Sequence, residues 1–207
     1  FDVRSSVFVN NTGGDLSLPL SGDCCGGAIN IEASANSAIS IVASEFSSNT
    51  ATGNGGAVRL IGGRSASDGF VSVFIDSTLF TENIASVDGG AVFVGNGDTL
   101  DIRDSIFISN DALRDGGAVG IFEINAPTIR SSTFIANTAS VNGGAISLAS
   151  GETLDIRDST FTNNEAFSNG GAVFSSLIKS LTIQKSSFTK NTATEGSGGA
   201  VSVQDGD

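Results

Sequence analysis

Apolar and polar residues alternate along this chain in short runs that return at a fixed interval. Aligned on a recurring Phe, the position five residues earlier holds Val3, Ile41, Ile75, Ile102, Ile129, Ile156 and Ile183. The position seven earlier holds Phe1, Ile39, Val73, Leu100, Pro127, Leu154 and Leu181. Between them stand Asp2, Ser40, Phe74, Asp101, Thr128, Asp155 and Thr182, which are mostly polar. A period of two with one apolar side predicts a strand with one buried face. Further on, Val92-Phe93-Val94, Ile146-Ser147-Leu148 and Val201-Ser202-Val203 alternate again and predict a second strand. No stretch carries a helical period.

The Phe is the first member of a Phe-x-x-Asn element, which pairs Phe8 with Asn11, Phe46 with Asn49, Phe80 with Asn83, Phe107 with Asn110, Phe134 with Asn137, Phe161 with Asn164 and Phe188 with Asn191. A Gly-Gly-Ala element follows each one, starting at Gly26, Gly55, Gly89, Gly116, Gly143, Gly170 and Gly198, and from Phe80 to Phe188 the Phe recurs every 27 residues. A unit this short, with no helix, buries its apolar face only by stacking on copies of itself. The expected fold is therefore all-β, a parallel β-helix of about seven coils, one per repeat, in a single domain spanning residues 1–207. With strands roughly 4.8 Å apart the rod would be about 35 Å long. The Phe column would stack inside as an aromatic ladder, and each Asn would hydrogen-bond to the next at a turn. The stretch from Asn to Gly-Gly is expected to be a corner. A third column two residues before Phe holds only Ser and Thr, Ser6 to Ser186, placed to satisfy backbone groups at a bend. Asn54, Asp88, Asp115, Asn142 and Asn169 precede Gly-Gly, as suits a turn that needs left-handed backbone. The period is broken by inserts near 12–25 and 61–69, the expected protrusions.

Phe-x-x-Asn paired with Gly-Gly-Ala-Ile, Leu or Val resembles the chlamydial polymorphic membrane protein repeat in all seven units. The resemblance implies a right-handed β-helix, secreted to the cell surface, of the kind that serves as an autotransporter passenger in adhesion. The chain opens inside a strand at Phe1 and stops just after Gly-Gly-Ala-Val. The expectation is a fragment of a longer protein, or a subunit whose open ends join copies of itself in a filament.

Composition narrows the chemistry. Ten Lys and Arg against 22 Asp and Glu give a net charge of −12, which disfavours nucleic acid and anionic membranes as partners. There is no His, Tyr, Trp or Met, so the usual general base and zinc ligand are missing. No apolar run approaches the roughly 20 residues of a membrane-spanning helix. The rival to a structural or adhesive module is a polysaccharide-active β-helix enzyme, a lyase, hydrolase or epimerase. Its best candidate residues are the outward lattice Asp101, Arg103, Asp104, Arg130, Asp155, Arg157 and Asp158. Leu-Asp-Ile-Arg-Asp-Ser stands at both 100–105 and 154–159, whereas a reaction centre is one asymmetric cluster. The lattice reads as a charge ladder on a non-catalytic chain. No cofactor is expected, and calcium is the metal an acidic outer surface would take. Adjacent Cys24 and Cys25 are a candidate vicinal disulfide, and Asn10-Asn11-Thr12 makes Asn10 the one glycosylation candidate. Expected partners are a protein or glycan at a cell surface, or copies of the chain in a fibre, in an extracellular or cell-surface setting.

Overall fold

A computed structural model describes residues 1–14, 25–33, 36–62 and 71–204 of the chain. It is a parallel β-solenoid with four sheets of seven strands each, and every neighbouring pair in a sheet is one coil apart in sequence. Sheet A runs from Asp2–Arg4 to Ser180–Gln184 and carries the Ile column. In sheet B, Val7–Val9 to Ser187–Thr189, Phe is the centre of each three-residue strand. Sheet C, Thr12–Gly13 to Thr192–Ala193, has strands of two residues. Sheet D, Ile29–Glu32 to Val201–Gln204, follows Gly-Gly-Ala. Where the sequence predicts a corner between Asn and Gly-Gly, the chain thus makes a short paired strand. The register is that of the repeat: Phe80 pairs with Phe46 and Phe107, and Ile102 with Ile75 and Ile129. The insert segments 15–24 and 63–69 lie outside the described residues.

Three columns hold the coils in line. The Phe rings stack from Phe8 through Phe134 and Phe161 to Phe188 at 4.6–5.0 Å between centroids, within 10° of parallel. That spacing is the strand spacing, so backbone hydrogen bonding sets the stacking distance. Beside it runs the Asn ladder. Each side-chain amide donates to the next, Asn11 to Asn49, Asn49 to Asn83, Asn83 to Asn110, and so on to Asn164 and Asn191, at 2.8–2.9 Å. The Asn137 Nδ2 donates to Asn164 Oδ1 at 2.9 Å and to the Phe107 carbonyl at 3.1 Å. Its Oδ1 accepts from Asn110 Nδ2 and from the Asn110 backbone N–H. Asn49 and Asn83 repeat this set, with Nδ2 also on the Phe8 and Phe46 carbonyls. Each interior Asn is therefore fully used, which is why burial at 0% exposure costs it little. The two outer members, Asn11 and Asn191, are only half-buried, and Asn191 Nδ2 has the Phe161 carbonyl as its partner. The hydroxyl column works as the sequence suggests. Ser132 Oγ donates to the Arg130 carbonyl two residues back and accepts the Ser105 N–H of the coil before.

The coil turns through left-handed backbone at four places. Three are held by ordinary residues: Ser5, Ala43, Ser77, Asp104, Ser131, Asp158 and Lys185 at φ 44–50°, Asn10, Ser48, Glu82, Ser109, Ala136, Asn163 and Lys190 at φ 53–55°, and, between sheets D and A, Asn96, Glu123, Ser150 and Leu177 at φ 53–65°. Their N–H groups bond to carbonyls of the next coil, as Ser131 does to Arg157 and Ala136 to Thr162, so pairing continues through the bend. At the fourth place, from Gly55 on, the left-handed residue is the first glycine of Gly-Gly, at φ 63–71°, rather than the Asn or Asp before it.

One inward position breaks the core pattern. Ser175 sits in the column of Leu60, Val94, Ile121 and Leu148 with no exposure and no partner for its Oγ. Ser175→Ala is expected to stabilise the chain by about 1 kcal/mol, because it removes an unpaired buried hydroxyl. The same change at Ser132 removes two hydrogen bonds and is expected to cost about 1–2 kcal/mol. Thermal unfolding of the pair checks the opposite signs.

Candidate functional site

Sheet A presents the charged lattice outward. Arg103, Arg130 and Arg157 lie one above another in register, as their spacing implies. Their charges are matched along the strand rather than across coils. Arg103 pairs with Asp101 two residues before it, Arg157 with Asp155 at 2.8 Å, and Arg4 with Asp2 at 2.6 Å. The hydrogen bond to the aspartate, then the aspartate's charge, raises the pKa of Arg103 and of Arg157, and the hydrogen bond from Arg4 lowers that of Asp2. Arg130 has Thr128 where the other two have Asp, and Thr128 Oγ1 donates to Asp101 at 2.9 Å instead. Asp104 and Asp158 stand at the left-handed bend outside these pairs. The lattice is thus built around one pair repeated at matching places, Asp101 and Asp155 each engaged by the arginine of its own strand. Among the described residues no group of three or more His, Cys, Asp or Glu is placed to hold a metal ion. Asn10 is exposed and Cys25 half-buried, while Cys24 lies outside the described residues.

A second polar column runs beside the Gly-Gly turn. Asp88 N–H donates to Asn54 Oδ1, Asp115 N–H to Asp88 Oδ1, Asn142 N–H and Nδ2 to Asp115 Oδ1, and Asn169 N–H and Nδ2 to Asn142 Oδ1. The sequence reads these residues as turn chemistry. The structure makes them an Asx ladder, in which two consecutive members, Asp88 and Asp115, are carboxylates. Arg114 clasps the buried Asp88 with both Nε, at 2.8 Å, and Nη2, and its Nε lies 3.5 Å from Asp115 Oδ2. The signal available in the sequence is Arg114 itself, which stands where other coils have Gly53, Val87, Val141 and Ser168.

Each motif of the repeat now has its place in this architecture: the Phe-x-x-Asn pair supplies the two inner ladders and Gly-Gly-Ala the turn. The Chlamydia polymorphic membrane protein repeat matches residues 43–59, 77–95, 131–149 and 158–176, each stretch holding one Phe-x-x-Asn and one Gly-Gly-Ala. The chain carries that repeat at these four places. No curated protein and no solved structure matches it. In this polymorphic membrane protein repeat the recurring motifs serve the interior, which leaves the outer columns to differ from coil to coil. No helix among the described residues is long and apolar enough to cross a membrane.

Asp115 carries a cost the other ladder members avoid. Burial first, and then the charge of Asp88, push its carboxyl up, against smaller opposing effects of Asn142 and Arg114. The folded chain therefore holds this proton at a pH where the unfolded chain has lost it. Stability from this group falls as pH rises from the ordinary aspartate range through the raised value. Asp115→Asn copies Asn142 and Asn169 and keeps an acceptor. Its melting temperature is expected to exceed the parent's above that window and to converge on it below, read from unfolding curves across pH.

Proposed function

We propose that this chain is a rigid, non-catalytic module of an extracellular or cell-surface protein, a rod that presents binding surfaces rather than a reaction centre. The observation that carries the reading is the threefold occurrence of the Asp-x-Arg pair on one sheet, Asp2–Arg4, Asp101–Arg103 and Asp155–Arg157, each with its carboxylate committed to a guanidinium group. A glycoside-cleaving site needs two carboxylates with distinct protonation roles flanking one bond. Repeated, self-paired charges serve a scaffold instead, each exposed pair contributing about 0–1 kcal/mol. The match to the chlamydial repeat supports a surface or outer-membrane setting. By that reading the chain is part of an adhesive, passenger-like rod.

The test coats beads with the protein and counts their attachment to cultured epithelial cells against albumin-coated beads. The same preparation is incubated with polygalacturonate and alginate, with and without calcium. Attachment above the albumin level with both polymers left at full length is expected. Shortened polymer, or attachment no better than albumin, overturns the reading.

A further inference from the structure

In a periodic molecule, specific recognition requires a departure from the period, and here four departures meet at one place. Carboxylates Asp88 and Asp115 replace Asn in the Asx ladder, and Arg114 joins them. On the outer face of sheet D, Gly120 stands in a column that holds Phe93 before it and Ser147 and Phe174 after it, and its missing side chain lets the Phe93 ring lie close over the backbone, 3.1 Å from where a Cβ would be. In the next outer column Phe122 stands where its neighbours are Gly95 and Ala149. Together these line a half-open cavity of about 130 Å³.

Its two sides differ in chemistry. Phe93 is buried, and Phe122, 42% exposed, is the aromatic rim. Across from them lies the Asp88–Arg114–Asp115 edge, with Asp88 only 7% exposed. Both Asp88 oxygens are taken by Arg114, and Asp115 Oδ1 by Asn142. Asp115 Oδ2 has only the longer contact to Arg114 at 3.5 Å, so it is the acceptor open to a guest. One guanidinium and two carboxylates on a chain of net charge −12 disfavour an anion. Pockets for drug-sized ligands run to about 300–1,000 Å³, so this cavity has room for one ring.

We infer that this cavity binds a single uncharged pyranose ring of a surface glycan, its C–H face on Phe122 and its hydroxyl edge on Asp115 and Arg114. The inference deepens the binding-module reading and rests on it. The ladder keeps Asp115 where Asn would fit at lower cost, the trade expected of a binding group. A ligand of about a dozen heavy atoms in so open a site has an expected Kd on the order of 1 mM.

The experiment titrates the ¹⁵N-labelled chain with the methyl glycosides of glucose, galactose, mannose and N-acetylglucosamine, following backbone amide shifts. Saturable shifts at Asp115, Gly120, Ile121 and Phe122 with at least one glycoside are expected. Phe122→Ala, at an exposed rim, and Ser147→Phe, which fills the cavity with a side chain the column accepts at Phe93 and Phe174, are each expected to weaken binding at least tenfold. Unfolding curves confirm that both variants fold. No saturable shift with any glycoside, shifts that map elsewhere, or binding unchanged in both variants overturns the inference. Bead attachment with no glycoside binding would sink this site and leave the module reading standing. A glycoside bound here and consumed would do the reverse.

Discussion

Gly117→Ala is expected to abolish cooperative folding of the chain. A Cβ at Gly117 would stand 2.2 Å from the carbonyl oxygen of Gly144 and 2.4 Å from that of Thr138, both backbone atoms of the adjacent coil. Neither can retreat, because each belongs to the hydrogen-bonded stack. The second glycine of each Gly-Gly from Gly56 to Gly171 has a similar contact with the coil after it, at 2.0–2.2 Å, so the clash is intrinsic to the repeat. The cost is expected to exceed about 4 kcal/mol, in the range reached only by backbone clashes, large cavities and buried charges. Gly95→Ala is the matched control. Its Cβ would press on the side-chain ends of Ile61 and Phe93, at 3.0 and 3.2 Å, which can shift, and would meet backbone only at the ordinary 3.7 Å contact of the Phe122 carbonyl oxygen. Circular dichroism melts should show an unfolded or aggregated Gly117→Ala and a near-parental Gly95→Ala.

Asn137→Ala is the second large effect. It deletes the Oδ1 that accepts both the backbone N–H and the side-chain Nδ2 of Asn110, and the Nδ2 that serves Asn164 and the Phe107 carbonyl. Asn110 and Asn164 have no exposure, so water does not replace the lost partners without opening the coil. At about 1–3 kcal/mol for each orphaned buried group, the loss should reach about 3–5 kcal/mol. Asn137→Asp separates acceptor from donor. The carboxylate restores the bonds from Asn110 but faces the Asn164 oxygen and the Phe107 carbonyl, so its destabilisation should grow as pH rises and it ionises. Denaturant melts at acidic and neutral pH would read this directly. A pH-independent Asn137→Asp would mean that the ladder does not depend on amide donors.

Much of the fold was legible because the repeat states its own register. Seven Phe and seven Asn at matched offsets leave only one way for the coils to stack, and the Ser and Thr column announces its hydroxyl duty by admitting no other residue. Details hidden from the sequence are those that periodicity cannot rank. Asn or Asp and the glycine after it both tolerate left-handed backbone. Only the structure assigns it to the glycine and frees the Asx side chain for a ladder. Likewise an aspartate two residues before an arginine and one in the next coil are both within reach of a long side chain. The pairing within the strand, Asp101 to Arg103, emerges only from the coordinates. The two-residue strands of sheet C are too short to carry an alternation signal at all. The cavity edge was partly visible as Arg114, but the glycine at 120 acquires meaning only once Phe93, Ser147 and Phe174 are known to share its column.

The central claim is that the periodic charge lattice is scaffold and that the chain acts by binding. The direct test neutralises the two ion pairs of the lattice in one variant, Asp101→Asn, Arg103→Gln, Asp155→Asn and Arg157→Gln, and measures bead attachment to cells beside the parent. Attachment within about twofold of the parent, with a melting temperature lowered by only a few degrees, is the predicted result. Loss of attachment in a variant that still melts cooperatively near the parent would contradict the claim and place the function in the lattice itself.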